Sequence, residues 1–456
     1  MLKRLYQTGF SAYFIMFILS LVFYKERTIF LDTAFNLFYI INKGGFAIQI
    51  YRFGDLITQL LPHLAVKAGM PLNIVLQLYS VSFVLFYSCL YFICGSLLKR
   101  YDFALIILLV NILFVSDTFY WMLSQLPQAI AILMTVFALA SRKPVRPVSA
   151  IIIAVALVTV VFFHPLILFV MGFSLMFFML GNYSIIDKKL CYSIAAVYAA
   201  GMIIKFFIFK TPYEAHSMSG LKNFIRLFPD YITLFSNRRL LHNCLTKYYW
   251  MPALFVVSVF YYFKIKDWRK LGLLVVSFAG YLLLVNVCYP FPVTPEFYIE
   301  NLYIPLAVFI ALPLVVDVAP AIKNTNITVT VFVLILVSAG IRFYTSHNVY
   351  TARLDYERQL LNEYGDRKVI INATQKDKDV LLMIWGTPYE FLLLSESERQ
   401  KPASIIIDDT PELRFWSGSQ KQTFVVNYNL IPYSDLNHRY FQVPDTNSIY
   451  TILHNR

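Results

Sequence analysis

The residues best suited to chemistry are an acid and a cation that follow the first apolar segment of the chain. Asp32 comes soon after apolar residues 9–24, and Arg52 and Asp55 stand together in the sequence IYRFGD. A carboxylate at a membrane surface can act as a general base or bind a divalent cation. An arginine can bind a phosphate through paired hydrogen bonds. We therefore predict Asp32 as the catalytic residue, and as a metal ligand if a metal takes part, with Arg52 and Asp55 binding substrate or phosphate.

These residues also have structural interpretations. Asp32 precedes an amphipathic stretch, and aspartate is a favoured residue at a helix N-cap. Arg52 and Asp55 could form a local ion pair, or Arg52 could extend its charge to the head groups of bulk lipid. The sequence leaves these alternatives open.

A polar stripe follows in the same part of the chain. His63 lies between Gln59 and Lys67 at successive spacings of four residues. Residues spaced in this way share one face of a helix. The stripe is interpreted either as a solvated helix face or as part of a binding site, and we include His63 among the candidate substrate-binding residues.

Two ionisable residues at the ends of later apolar segments are further candidates for binding substrate or phosphate. His164 precedes Pro165 at the end of one segment, and Glu300 stands four residues after Glu296 at the start of another. Ionisable residues at membrane depth are costly and often functional. A histidine beside a proline can instead satisfy backbone groups that are freed where a helix breaks, so His164 also has a structural interpretation.

The composition indicates what kind of protein must position these residues. Of the 456 residues, 59% are hydrophobic and only 14% are charged, and the mean hydropathy is +0.62. A soluble domain is nearer a quarter charged. The formal net charge is +13, but many of the basic residues lie in short loops rather than on one soluble module, which argues against nucleic acid as a partner. The chain is therefore predicted to be an α-helical polytopic membrane protein.

The first apolar segment and the cysteines indicate neither processing nor disulfides. Residues 9–24 end at Lys25-Glu26-Arg27 without the small-residue pattern of a cleavage site, so we predict an uncleaved first span. The five cysteines fall mostly in or beside predicted spans, and none lies in the carboxyl-terminal part of the chain. We therefore predict no disulfide framework.

About eleven apolar segments are predicted to cross the membrane. Basic residues in short loops mark the cytoplasmic side, and here they alternate from loop to loop, since residues 118–124 and 289–300 contain neither Lys nor Arg. This alternation predicts a cytoplasmic amino terminus, with the long loops 25–71 and 210–248 on the other side. The predicted spans are residues 9–24, 72–98, 102–117, 125–140, 148–163, 165–181, 191–209, 249–263, 271–288, 301–318 and 327–343.

The segments 148–163 and 165–181 have two interpretations. They meet at His164-Pro165, and the residue before a proline is pushed out of helical geometry. Either they form two short spans that reach a shallow outer site, or they are one broken helix. The second interpretation would reverse the sides of all later loops.

Two amphipathic helices are predicted in loop 25–71, lying in the plane of the membrane surface. Gly44-Gly45 would supply the turn between them. The first is predicted within residues 33–41, with Ala34, Leu37, Phe38 and Ile41 on one face. The second is predicted within residues 55–68, with Leu56, Leu60, Leu64 and Ala68 on one face.

Residues 344–456 are predicted to form a small extracytoplasmic α/β domain that follows a transmembrane domain of residues 1–343. Charge rises and the long apolar runs stop. Thr387 to Glu390 match a capping box with proline at the first helical position, which predicts a helix to about residue 399. A helix is also predicted over 349–364, and strands over 368–372, 404–408 and 423–427.

The arrangement resembles the GT-C superfamily of membrane glycosyltransferases. The similarity lies in the first span, the long loop that opens with Phe30-Leu31-Asp32-Thr33, and the two helices in that loop. The short segments around His164-Pro165, the acidic loop ending at Glu300 and the carboxyl-terminal outer domain also fit. The resemblance covers nearly the whole chain in architecture, although its motifs are short.

The resemblance implies transfer of a sugar from a polyprenyl-phosphate carrier to a glycan, lipid or protein acceptor at the outer membrane face. It implies a carboxylate base in the first loop, a role that falls on Asp32, sometimes with a divalent metal such as Mg²⁺ or Mn²⁺. Asp32 has no acidic neighbour, which leaves metal dependence open. Arg52 would bind the carrier phosphate, with His63 or His164 assisting. Without outer cysteines, a bacterial inner membrane is the expected location.

Three other functions remain open at this point. A polysaccharide polymerase or ligase would depend chiefly on the basic loop 210–248. A transporter would need internal repeats and charges within its spans, and few such charges are present. A scaffold would only present the carboxyl-terminal domain. The absence of a Walker A loop indicates that no nucleotide powers the protein.

Overall fold

The computed structural model describes residues 1–123, 125–181, 185–209, 211–212, 218–290, 295–409, 421–426, 429–443 and 447–453. The chain is 73% helical. Long helices pack side by side around one apolar core. A second core lies between the first long loop and the carboxyl-terminal part of the chain.

Helices make up most of the described chain. The amino-terminal half contains α1 (Leu2–Val22), α2 (Tyr24–Thr28), α3 (Leu31–Lys43), α4 (Asp55–Lys67), α5 (Leu72–Phe92), α6 (Tyr101–Leu113), α7 (Gln125–Ala140), α8 (Pro147–Val161), α9 (Ile167–Leu180) and α10 (Lys188–Ile208). The remainder contains α11 (Phe235–Thr246), α12 (Trp250–Lys264), α13 (Trp268–Cys288), α14 (Glu296–Pro313), α15 (Thr325–Tyr364), α16 (Gln375–Leu381) and α17 (Thr387–Arg399). Short helical turns extend or connect several of them, at Ile93–Leu97, Asp117–Phe119, Met218–Lys222, Asn223–Arg226, Asp230–Thr233, Leu314–Val318, Ala319–Ala321 and Tyr433–Asp435.

In the described part of the chain, six helices are long and apolar enough to cross a membrane, namely α1, α5, α10, α13, α14 and α15. Five shorter apolar helices are α6, α7, α8, α9 and α12. Each predicted span coincides with one of these helices. The prediction of an α-helical chain with several helices long and apolar enough to span a membrane is confirmed, and the crossing of eleven helices stays a prediction.

The chain reverses direction between α8 and α9. Phe162, after the end of α8, packs on Phe53 of the first long loop at 5.7 Å between ring centroids. Phe178, near the end of α9, packs on Phe103 at the start of α6 at 6.0 Å. These contacts lie at opposite ends of the bundle. The two segments are therefore separate antiparallel helices, as the first interpretation expected, and not one broken helix.

The predicted helices of the first long loop both form, but they bury different kinds of face. In α3 the predicted apolar face is buried, with Leu37 and Phe38 fully covered. In α4 the leucines face outward, and Leu60 and Leu64 are 47% and 51% exposed. Gln59 is buried instead and pairs with the backbone of Ala47. The interpretation of the polar stripe as a solvated face is therefore wrong for its buried members.

Two small sheets form the carboxyl-terminal part. The strands are β1 (Val369–Asn372), β2 (Ile405–Asp408), β3 (Thr423–Val426), β4 (Asn429–Pro432) and β5 (Thr451–Leu453). β1 lies between β2 and β5 in a parallel sheet, and its residues are apolar and buried except at Asn372, as expected of a central strand. β3 and β4 form an antiparallel pair.

One helix joins the bundle to the two sheets. α15 runs without interruption from Thr325 to Tyr364, so it continues through the predicted domain boundary at residues 343 and 344. α17 packs on α3 of the first long loop. The carboxyl-terminal part is therefore in direct contact with the helix that carries Asp32.

Candidate active site

The candidate site lies at one end of the bundle, where the first long loop meets the segments before α7 and between α8 and α9. Asp32 is in the first turn of α3. Asp55 and Gln125 are the first residues of α4 and α7. The amino-terminal ends of these three helices lie close together, so residues far apart in sequence become neighbours.

Asp32 is half-buried and receives a hydrogen bond from Trp121, whose Nε1 lies 3.2 Å from Asp32 Oδ2. Burial raises the pKa of the Asp32 carboxyl, whereas the Trp121 hydrogen bond and the charge of Arg52 lower it. The N-cap of α3 is Phe30, and no side chain caps this helix. The alternative that Asp32 is an N-cap is therefore wrong, and its carboxylate is suited to proton transfer.

Gln125 links the other two predicted residues of the loop. Arg52 Nη1 donates to Gln125 Oε1 at 2.8 Å, and Gln125 Nε2 donates to both oxygens of Asp55 at 3.0 Å. Burial raises the pKa of Asp55 to about 7, although the Gln125 hydrogen bond and the Arg52 charge lower it and Asp32 raises it. The neutral amide of Gln125 thus joins Arg52 to Asp55, and the charge of Arg52 also acts on Asp32.

Arg52 and His164 both line a cavity of about 260 Å³. The rest of its wall is mostly apolar and comes from α9, α10, α13 and α14. Trp121, the partner of Asp32, packs on Tyr298 of this wall at 5.6 Å between ring centroids. An apolar cavity with a few convergent polar groups is the usual form of a small-ligand site. The structure therefore brings together Asp32, Arg52, Asp55 and His164.

Glu300 is not part of this group, because its carboxylate is fully engaged by the segment before α7. It accepts hydrogen bonds from the backbone amides of Ser116, Asp117 and Thr118 at 2.7, 3.1 and 2.8 Å. The hydroxyls of Thr118 and Tyr248 donate to it as well. The prediction that Glu300 binds substrate is corrected to a structural role, since these donors occupy both oxygens.

Two buried arginines hold the same segment. Arg27 donates to Ser80 Oγ at 2.8 Å and to the carbonyl of Phe119, and its guanidinium lies 4.1 Å from the Phe119 ring. Arg342 donates to the carbonyl of Val115 at 2.9 Å. A buried cation needs such hydrogen bonds. Together with Glu300 they fix the segment whose indole contacts Asp32.

His63 lies apart from the other predicted site residues. It stands eight residues after Asp55 on the same helix, a rise of about 12 Å. Its ring stacks on Phe46 at 4.5 Å between centroids, and it is not among the residues that line the cavity. The structure gives His63 a packing contact rather than a place beside Arg52.

The helix that carries Asp32 also presents an unpaired polar atom. Thr33 Oγ1 is buried without a hydrogen-bond partner among the described residues. Buried polar atoms are nearly always paired, so such an exception requires an explanation. A hydroxyl group of a bound polar substrate, or water, would satisfy it.

The side chains beside Asp32 are poorly suited to bind a divalent metal ion. Both oxygens of Asp55 accept from Gln125, and the positive charge of Arg52 acts on both acids. Within the described ranges, no three His, Cys, Asp or Glu side chains gather as metal ligands. We therefore derive no step through a metal.

The basic loop 210–248, on which the polymerase or ligase alternative depends, has part of its charge neutralised. Lys247 pairs with Asp117 at 2.9 Å and with Glu296 at 3.2 Å. Arg239 also pairs with Glu296. Residues 210 and 213–217 of this loop lie outside the described residues.

Sequence reasoning missed the two neutral residues that connect the site. Neither Trp121 nor Gln125 is among the site residues that the sequence predicts. A signal existed for Gln125, because it and Gln128 are amides at the start of an otherwise apolar segment. No pattern pointed to the contact of Trp121 with Asp32, which depends on how the segments fold together.

No protein-family model, curated protein or solved structure matches the chain. The functional assignment accordingly depends on the geometry around Asp32, Arg52 and the cavity.

Proposed function

We propose that the protein is a membrane glycosyltransferase that moves a sugar from a polyprenyl-phosphate carrier to an acceptor hydroxyl. One observation carries the proposal: Arg52 lines the mostly apolar cavity and its charge also acts on the carboxylates of Asp32 and Asp55. A carrier lipid has the matching chemistry, since an apolar chain is joined to an anionic phosphate that carries the sugar.

The cavity would take the isoprenoid units nearest the phosphate. Arg52 would bind the phosphate oxygens, with His164 beside it as a second polar group of the same cavity. Charge-assisted hydrogen bonds from arginine to phosphate are strong and directional. This arrangement fixes the bond between the sugar and the phosphate next to the site of the acids.

Asp32 would act as the general base. The acceptor hydroxyl gives its proton to Asp32 while its oxygen forms a bond to the anomeric carbon of the sugar. The bond from that carbon to the phosphate oxygen breaks, and the phosphate leaves with the electron pair. Arg52 stabilises the charge that develops on the leaving phosphate. Direct displacement inverts the anomeric configuration.

The proposal includes a location and an orientation. Eleven helices cross a bacterial inner membrane, the amino terminus is cytoplasmic, and the site with the carboxyl-terminal α/β part lies on the outer side. The acceptor is a glycan, a lipid or a protein. The alternation of basic residues between loops supports this orientation.

The proposal is tested by supplying carrier-linked sugars to the purified protein in nanodiscs, with and without EDTA. We expect consumption of at least one donor, and an unchanged rate in EDTA. We expect Arg52→Ala to raise the KM for that donor by about 10- to 100-fold, since a hydrogen bond to a charged group contributes roughly 1.5–3 kcal/mol. Arg367→Ala, an exposed arginine elsewhere, serves as the control.

Two results would count against this function. The first is a wild-type protein that is folded but consumes no carrier-linked sugar of the panel. The second is an Arg52→Ala variant with the donor KM of the wild type, because phosphate binding would then occur elsewhere.

A further inference from the structure

The first turn of helix α17 contains a glutamate, Glu390, that does not cap its own helix. Thr387 to Glu390 match a capping box in sequence, but the N-cap of α17 is Gly386 and no side chain caps it. The Glu390 carboxylate is directed to another element instead. Its Oε1 accepts the backbone amide of Leu31, the first residue of α3, at 2.6 Å.

An arginine of α15 completes this contact. Arg353 Nη2 lies 2.6 Å from Glu390 Oε2 and 2.6 Å from Glu357 Oε1. Its Nη1 donates to the carbonyl of Ile29 at 2.8 Å. The three charged side chains are fully buried. The chain that leads into α3 is therefore held at a carbonyl by Arg353 and at an amide by Glu390.

The backbone at this point is strained. Leu31 has a φ of +40°, a region that residues other than glycine rarely adopt. Such a conformation persists only where the surroundings enforce it. Gly386 approaches it closely, because a Cβ added there would lie 2.9 Å from Leu31 Cα and 2.9 Å from Glu390 Oε1.

We propose that Glu390 and Arg353 are positioning residues, which hold the strained start of α3 so that the adjacent Asp32 meets Trp121 and the substrate. The inference depends on the proposed function, because it assigns to the carboxyl-terminal part of the chain the task of aligning the proposed base. Without Glu390, Leu31 relaxes and the Asp32 carboxylate moves away from the indole.

The test is steady-state transfer by full-length variants in nanodiscs. We expect Glu390→Ala to lower kcat by about 100-fold, the effect of a misplacement near 1 Å, with the donor KM unchanged. The acid limb of its pH profile should move to higher pH, because Asp32 loses the Trp121 hydrogen bond that favours its ionised form. Glu390→Gln keeps an oxygen for the Leu31 amide and should recover most of the turnover.

A matched control lies on the same helix. Glu398 contacts Lys25 and Arg358 through ion pairs but does not touch Leu31. Glu398→Gln weakens the docking of α17 on the first loop at Lys25 and leaves the contact at Leu31 unchanged. We expect its kcat and its pH profile to equal those of the wild type.

A second variant covers the case in which Glu390→Ala does not fold. Gly386→Ala keeps both charged side chains of the contact, Glu390 and Arg353, but pushes a methyl group against Leu31 Cα and against Glu390 Oε1, each at 2.9 Å. We expect the same loss of kcat and the same shift of the acid limb. Hydrogen exchange of the peptide spanning residues 29–36 should become faster in Gly386→Ala and stay unchanged in Glu398→Gln.

The outcomes separate the two claims. Wild-type kcat and an unmoved acid limb in both Glu390→Ala and Gly386→Ala would overturn the positioning role while leaving the transferase intact. The positioning role would also be overturned if these variants lost only stability. It would be overturned as well if Glu398→Gln lost as much kcat as they do. Absence of turnover in the wild type would instead overturn the transferase proposal. This result is distinct from a failure of the positioning role, which appears only as a difference between variants.

Discussion

At the residue scale, the two acids of the site differ in their surroundings. Asp32 is half-buried beside an indole, whereas Asp55 is buried beneath the Gln125 amide. Both carry a raised pKa, and that of Asp55 is about 7. The more accessible of the two is the one that we propose as the base, and the buried one holds Gln125, which in turn accepts a hydrogen bond from Arg52.

Asp55 should make stability depend on pH. Its folded pKa of about 7 lies above the unfolded value near 3.9, so the folded state holds a proton that the unfolded state releases across this window. Stability should therefore fall as pH rises from about 4 to about 7. The Asp55→Asn variant should not show this fall in stability, which in the wild type amounts to at most about 4 kcal/mol of unfolding free energy. Thermal unfolding midpoints at pH 5 and pH 8 check it.

The control for that measurement is the exposed Asp435→Asn, which should follow the wild type. A difference between wild type and Asp55→Asn that is the same at pH 5 and at pH 8 would show that Asp55 does not retain its proton in the folded protein.

Sequence reasoning found the charged members of the site more readily than the neutral ones. Arg52, Asp55 and His164 stand out because charge is rare in an apolar chain. Glu300 stands out for the same reason, but its charge serves the backbone amides of residues 116–118. A buried carboxylate can bind a ligand or a loop, and only the folded contacts distinguish the two.

At the element scale, the positions of helices were predictable and their partners were not. Apolar periodicity located α3 and α4, but α4 turns its leucines outward and its glutamine inward. Such a face is typical of a helix that lies against lipid. Likewise, Glu390 matched a local capping pattern although its partner, Leu31, is far away in sequence. The local sequence pattern determines where a helix forms, and tertiary contacts determine which of its faces is buried.

The contact between the first loop and the turn after α8 gives a prediction at this scale. A Cβ added to Gly54 would lie 2.3 Å from ring atoms of Phe163. Gly54→Ala should therefore displace the loop that carries Arg52, cost about 1–3 kcal/mol of stability, and lower transfer. Adding Phe163→Leu should restore both. Melting midpoints and initial rates of the single and double variants measure the effect.

Gly45→Ala is the matched control, because an added Cβ there meets only one backbone oxygen, at 4.0 Å. If Gly54→Ala behaves as Gly45→Ala does, the packing of the loop on Phe163 does not set the position of Arg52.

At the scale of the whole molecule, the structure joins a helical bundle to an α/β part through one long helix. α15 crosses the predicted boundary, and α17 docks on the helix of Asp32. Composition alone predicted a polytopic chain and a charged carboxyl-terminal unit. It did not indicate that the second packs on the helix of Asp32, because this contact joins distant parts of the sequence.

The orientation is testable by fusions. The basic loops predict that the carboxyl terminus lies outside the cytoplasm. Alkaline phosphatase fused at the carboxyl terminus should be active, and a fluorescent protein fused there should stay dark. The reverse is expected for fusions at Lys143, in a predicted cytoplasmic loop. A fluorescent carboxyl-terminal fusion would place the candidate site on the cytoplasmic side and contradict the proposed topology.

The most direct measurement of the central claim is single-turnover sugar transfer by wild type and Asp32→Asn in nanodiscs, with Asp435→Asn as control. General-base catalysis contributes about 10²- to 10⁴-fold, so we expect Asp32→Asn to lose that factor while it still binds the carrier-linked donor. The control should transfer at the wild-type rate. Transfer by Asp32→Asn at close to the wild-type rate would contradict the account, since the proton would then go to another group.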